Sequence, residues 1–129
     1  MKKIEQTLLD EHGNLPQRSG LNWGQRAEYN REPNQAYIKY SAKNHPFFPE
    51  KGVPFTIKTK DDHIFQCVIA QQGDKAIHTP NNNSEFGIYF RKKLGVPLGQ
   101  AIQLKDLEVY GRTSITFYKE SDDVYLMEF

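Results

Sequence analysis

From Phe55 the chain alternates apolar and polar residues through Thr56, Ile57, Lys58 and Thr59, the period of two that a half-buried strand requires, so a strand is expected over Val53 to Thr59. His63 to Ala70 is nearly continuous in β formers and predicts a second strand, joined to the first by a tight turn at Lys60-Asp61-Asp62. Ala36 to Tyr40 and Lys75 to His78 read as shorter strands, the latter after a turn at Gln71-Gln72-Gly73-Asp74. Thr113 to Tyr118 and Val124 to Phe129 predict a terminal hairpin across Glu120-Ser121-Asp122-Asp123. Ile4 to Asp10 is weakly patterned and fits either a strand or a helical turn.

The period changes after Ser84. Phe86, Ile88, Tyr89, Phe90 and Leu94 recur at three- and four-residue spacing, with Asn83 or Ser84 as N-cap and Gly95 as stop, which predicts a helix. Gly87 inside it argues against the helix by about 1 kcal/mol relative to Ala. Lys105 to Tyr110 predicts a second, short helix closed by Gly111, and Val96 to Gln103, with Pro97 and Gly99, a strand with a bend. Asn44 to Gly52 is a proline-punctuated loop whose Phe47 and Phe48 are expected to plug the edge of the core. Six or seven short strands with frequent turns favour a mainly β fold with some α, a small antiparallel barrel rather than a βαβ sheet. Its 129 residues suit one domain.

Two stretches escape these patterns. Leu15 to Tyr37 carries Arg18, Arg26 and Arg31, Asn22 and Asn34, Gln25 and Gln35, and the sole tryptophan, Trp23, without an apolar periodicity to bury. Thr79-Pro80-Asn81-Asn82-Asn83-Ser84 has no apolar side chain beyond its proline. Arg presents a planar fork of donors and Asn or Gln a donor beside an acceptor, so both grip flat edges at two points, as on nucleobases. A solvated loop held by a tryptophan anchor explains the same composition, and both readings stand at this level.

Net charge is +1, but its distribution is uneven. Arg18 to Lys43 holds five Lys or Arg against two Glu, Lys75 to Lys93 four against one, and Lys119 to Phe129 one against four. That pattern predicts one positive side and an acidic tail. The lone Cys67, within Ile64 to Ile69, excludes an internal disulfide and a multi-cysteine zinc site and reads as a buried thiol. Met1-Lys2-Lys3 leads into Glu5 and Asp10, not an apolar run, and no stretch approaches the roughly 20 apolar residues that span a bilayer, so a cytoplasmic protein is expected.

Catalytic signatures fail one by one. None of His12, His45, His63 or His78 is followed two positions later by Lys, and no Glu-x-Lys pair occurs, which removes two nuclease patterns. Gly87-Ile88-Tyr89 matches half of a GIY-YIG motif without its partner. There is no phosphate loop and no nucleophile elbow. The histidines are scattered, and Asp61-Asp62 and Asp122-Asp123 fall where turns favour Asp. His78 is the best general-base candidate because it flanks the second polar loop, though no orienting carboxylate lies near it in sequence. The expectation is a chain that is not itself an enzyme, with no cofactor and no metal.

Leu15-Pro16-Gln17-Arg18-Ser19-Gly20-Leu21-Asn22-Trp23-Gly24-Gln25-Arg26 with Arg31-Glu32-Pro33-Asn34-Gln35-Ala36-Tyr37-Ile38 resembles the C-terminal DNA-recognition domain of phospholipase D type restriction endonucleases. Lys75 to Pro80, Asn82 to Ser84, Tyr89 to Gly95, Tyr110 to Thr113 and Thr116 to Tyr118 continue the likeness, which runs from Leu15 through nearly the whole chain. That family is similar to the plant transcription factor B-three domain, which implies an open seven-stranded pseudobarrel with two short helices. It implies sequence-specific binding of double-stranded DNA by two arms entering the major groove. On this resemblance the N-terminal arm is about residues 15–37 and the C-terminal arm about 75–84. The nuclease domain that precedes such modules in the restriction enzymes is not in this sequence, so an excised module or a stand-alone relative is expected, working with a nuclease domain or subunit. Ile38-Lys39-Tyr40-Ser41 lacks the proline expected from relatives.

The implied DNA contacts divide by chemistry. Arg18, Arg26 and Arg31 fork onto guanine edges or clamp phosphates; Asn22, Gln25, Asn34 and Gln35 read base edges. Lys39, Lys75, Arg91 and Lys92, with Lys43 and Lys93, hold phosphates. Ser19, His78, Thr79, Asn81, Asn82 and Asn83 complete the expected set. Trp23 is either an anchor at the root of the arm or a ring that touches DNA, the anchor being favoured. A rival reading is a module for a modified base or a partner protein, without duplex readout.

Overall fold

The computed structural model describes residues 1–129, the side chain of Ala27 excepted. Seven strands form one curled, open sheet: β1 (Lys3–Thr7), β2 (Ile38–Lys39), β3 (Phe55–Thr59), β4 (Ile64–Ala70), β5 (Ala76–His78), β6 (Ser114–Lys119) and β7 (Val124–Glu128). Their order is β1-β6-β7-β3-β4-β5-β2. Two α-helices, α1 (Glu85–Leu94) and α2 (Leu104–Tyr110), and three short 3-10 turns complete a mainly β pseudobarrel. Antiparallel pairing is broken once, where β3 and β7 run parallel with Thr56 opposite Val124. The purely antiparallel barrel expected from the turn density is therefore corrected at its centre.

The alternation in β3 does what its period requires. Phe55, Ile57 and Thr59 face inward, and Phe65, Cys67 and Ile69 on β4 meet them across the same layer. Cys67 is buried, and that burial pushes its thiol pKa up. Phe48 stacks against Phe55 at 5.1 Å, meets Phe117 edge-on and packs at a tilt against Tyr125, so the proline-punctuated loop drives two rings into the core rather than only sealing its edge. The Tyr40 hydroxyl accepts from the amides of Phe47 and Phe48, and the Tyr125 hydroxyl donates to the Phe47 carbonyl. That loop's polar backbone is thus satisfied inside the core.

The open sheet leaves β1 and β2 as edges, and an unpaired edge invites association with another chain. Gln6 closes the gap between them. Almost fully buried, its side chain donates to Ser41 Oγ at 2.9 Å and accepts from the Ser41 amide at 3.0 Å and from Asn44 Nδ2 at 3.0 Å. Side-chain bonds here substitute for a strand pair. Ile4 to Thr7, ambiguous by pattern, is a strand because β6 offers Ser114 to Tyr118 as its partner.

Three expectations change. Val96 to Gln103 is an irregular loop with a turn, not a strand, because Pro97 and the left-handed Gly99 interrupt any ladder. The Ala36 to Tyr40 strand shrinks to two paired residues. Ser84 does stand at the N-cap of α1, but its hydroxyl donates elsewhere, and Asn82 Oδ1 accepts from the Ser84 amide at 3.0 Å. Gly95 closes α1 in the left-handed conformation and Gly111 closes α2, as their positions predict.

Candidate nucleic-acid interface

The first arm begins as a 3-10 segment, Gly20–Gln25, whose Leu21 enters the core. Asn22 beside it is completely buried. Its Nδ2 donates to the carbonyls of Pro16 and Ile102, both at 2.9 Å, and its Oδ1 accepts from the Ile102 amide at 2.8 Å. All its hydrogen-bonding capacity along the amide edge is spent on the backbone, so Asn22 is an anchor and not a reader of base edges.

The returning segment is fixed as firmly. The Asn34 side chain donates from Nδ2 to Glu32 at 3.0 Å and accepts from the Gly99 amide at 2.6 Å, which removes it too from the reading set. Glu32 accepts from Ser84 Oγ, from the Asn34 amide at 3.1 Å and from Asn34 Nδ2, so its carboxylate ties the first arm to the start of α1. Burial raises its pKa, but these bonds and the Arg91 charge outweigh burial and hold it below the ordinary glutamate value. The Ala36 amide donates to the Asn83 carbonyl at 2.9 Å, a second tie between the two polar segments.

Gly87 explains itself here. A Cβ on it would lie 1.6 Å from the Asn34 carbonyl oxygen, so the helix admits the returning arm only where no side chain intervenes. Gly24 plays the same part on the other side, where a Cβ would meet the Glu32 and Pro33 carbonyls. Arg91, expected on phosphates, is instead wholly buried: Nε donates to the Gln100 carbonyl at 2.8 Å and Nη1 to those of Leu21 and Gly87. Thr79 is likewise buried, donating to the Asn82 carbonyl at 2.7 Å. Arg91 and Thr79 hold the loop junction together and are corrected accordingly.

What remains exposed is sorted by neighbours. Arg18 ion-pairs with Glu28, and Arg26 Nε donates to the Arg18 carbonyl at 2.7 Å. Arg31 lies with its guanidinium 4.1 Å over the Trp23 ring and gives Nη1 to Gln35 Oε1 at 3.3 Å. Trp23 in turn meets Tyr37 and His78 edge-on, and Tyr37 stacks on His78 at 5.4 Å. His78 is buried with Nε2 unpartnered, and desolvation pushes its pKa below the ordinary value of 6.5. It has no carboxylate partner among the described residues, which deprives it of an orienting group for base catalysis. Gln25 donates to the Pro33 and Gly99 carbonyls and braces the arm.

A cleft of about 470 Å³ opens beside the arm. Ser19 and Gly20, Tyr37 and Lys39, and Gln71, Gly73 and Lys75 all line it. The turn between β4 and β5 thus lines the same cleft as Ser19 and Gly20, with Gln71 and Asp74 in positive-φ conformations. Sequence reading treats Gln71 to Asp74 only as a turn; the signal it contains is two adjacent glutamines and a lysine within five residues. Asn81 and Asn82 are exposed but belong to the loop that is bonded to Glu32 and Ala36, and Lys92 is exposed on α1. Tyr37 and Glu32 also escape a reading by residue type, since their roles exist only through contacts distant in sequence.

Among the described residues no helix is long and apolar enough to cross a membrane. Comparison with individual curated proteins gives no match. A family model does match residues 1–121, spanning β1 through β6, the first arm, the cleft and both helices. With that match and a pseudobarrel of the implied kind, the chain belongs to the NgoFVII C-terminal B3-like DNA-binding domain family.

Proposed function

We propose that this DNA-binding domain recognises a specific duplex sequence, gripping the major groove between the first arm and the β4–β5 turn. The observation that carries this reading is a cleft lined by Lys39 and Lys75 together with Ser19 and Gly20, which belong to the same segment as the exposed or half-exposed Arg18, Arg26 and Arg31. The arginines suit guanine edges, and the lysines suit phosphates that set register without reporting sequence. Ser19, Gln35 and Gln71 add neutral donors and acceptors at the cleft and arm, and Lys43 and Lys92 extend the phosphate contacts. The second jaw is therefore Gln71 to Lys75, with Thr79 to Ser84 as its support. Target recognition for a restriction endonuclease is the biological role, with cleavage supplied by a nuclease domain or subunit.

Selection of bound sequences from a randomised duplex pool tests this. One enriched short site is expected, with affinity falling by about one order per tenfold rise in salt for each phosphate neutralised. Lys92→Ala then lowers binding to all duplexes alike and reduces that slope by about one. An unenriched pool with salt-insensitive binding would sink the proposal. The apolar floor of the cleft, Leu8, Leu21 and Tyr40, favours a second reading in which it accepts a modified base. Methylated and unmethylated duplexes of the selected site separate the two.

A further inference from the structure

We infer that Arg31 is the preordered base reader of the first arm, and that Trp23, Tyr37, His78 and Glu32 are positioning residues that hold it. The inference rests on the duplex-recognition reading above and deepens it. The arm's three arginines look equivalent in sequence but differ in what surrounds them. Arg18 is engaged by Glu28 and Arg26 by the Arg18 backbone carbonyl. Arg31 has no carboxylate within 4.0 Å among the described residues, and its fork lies flat on an aromatic face.

Two independent devices restrain it. Below the side chain, Trp23 is wedged edge-on against Tyr37 and His78, whose rings stack on each other with only 10° between their planes. His78 ends β5 and Tyr37 leads into β2, so this seat is built on paired strands and not on the loop itself. Beside the backbone, Glu32 directly follows Arg31 and is bonded to Ser84 and Asn34, while Asn34 is bonded to Gly99. The residue after Arg31 is therefore fixed to the start of α1 and to the loop before α2.

Such a side chain loses little rotamer freedom on binding, which is how preorganisation turns a contact into affinity and specificity. Arg31 Nη1 is steered by Gln35, and Nε is shielded from water without a partner. An unmet buried donor costs free energy until an acceptor meets it. A planar fork stacked on an aromatic ring is also the arrangement that lysine cannot reproduce. The histidine in the seat is held neutral by burial, which avoids placing a second cation beside the guanidinium.

The test uses the full chain, the site selected from the random pool and duplexes carrying every single-base substitution in it. Arg31→Lys is expected to keep the salt slope and melting temperature of the parent chain while losing about tenfold or more of its discrimination at one base pair. Trp23→Phe should retain most of that discrimination and Trp23→Leu lose it; Glu32→Gln should lower it at the same base pair only. Arg18→Lys should leave that base pair unaffected. Trp23 is the only tryptophan, so its emission should shift in Arg31→Lys and on adding duplex to the parent chain. Unchanged discrimination in Arg31→Lys, with the parent chain discriminating normally, overturns the inference alone. Absence of any discrimination by the parent chain overturns the duplex-recognition reading and this inference with it. Should Trp23→Leu fail to fold, Arg31→Lys, which leaves the Trp23 ring in place, carries the decision.

Discussion

The two polar segments, Leu15 to Tyr37 and Lys75 to Ser84, have the same composition-level signature and opposite architectures. The first is secured by Asn22 and at its return by Glu32 and Asn34, with Arg26 and Arg31 between those points and Arg18 just before them. The second is divided. Lys75 lines the cleft with the β4–β5 turn, whereas Thr79 to Ser84 fold back as the surface against which the first segment is bolted. Polar richness therefore marks both the segment that carries the three arginines and the loop to which that segment is bonded. The difference lies in which polar atoms still have no backbone partner.

That comparison can be broken at the junction first. Arg91→Ala should cost about 3–5 kcal/mol, since it empties a buried site and strands the carbonyls of Gln100, Leu21 and Gly87. Denaturant unfolding measures it, and a loss below 1 kcal/mol would mean the junction is not the keystone described. Gly87→Ala comes next, with an expected cost of about 2–3 kcal/mol, because the added carbon collides with the Asn34 carbonyl rather than with a movable side chain. Its melting temperature should fall although alanine is the better helix former.

Asparagine offers a sharper version. Asn22→Ala should cost about 2 kcal/mol by leaving two carbonyls and an amide unmet. Asn82→Ala, in the other segment and exposed, should stay within about 0.5–1 kcal/mol, having only the Ser84 amide to lose. Equal effects from the two would erase the distinction between arm root and loop.

Acid supplies the last test. The folded-state pKa of His78 lies below its unfolded value of 6.5, so the unfolded chain binds the proton first. Its contribution is fully present above pH 6.5 and is lost as pH falls below it. Stability measured from pH 7.5 downward should decline more steeply in the parent chain than in His78→Gln. Parallel curves would indicate that the aromatic seat opens to water.

Much of the fold was legible because its cause is local. Alternation over Phe55 to Thr59, the three-four spacing of Phe86 to Leu94 and the left-handed glycines at both helix ends are properties of neighbouring residues. Where the cause is distant the reading failed or stayed open. Gly87 weakened the helix expectation only because the Asn34 carbonyl that requires it lies fifty-three positions away in the chain. Residue type ranked Asn22, Asn34 and Arg91 with Arg18 and Arg31, since an amide or guanidinium has the same chemistry whether or not a carbonyl has already claimed it.

By itself the sequence determined the kind of element most stretches form, the polar stretch around Trp23 and the family resemblance that points to DNA. Only the tertiary structure decided which polar groups face outward. Periodicity and propensity act between neighbours, whereas hydrogen-bond satisfaction is settled by whichever backbone group the fold brings within 3 Å. Asn22 met Ile102 and became an anchor; Arg31 met Trp23 and was left with donors to offer.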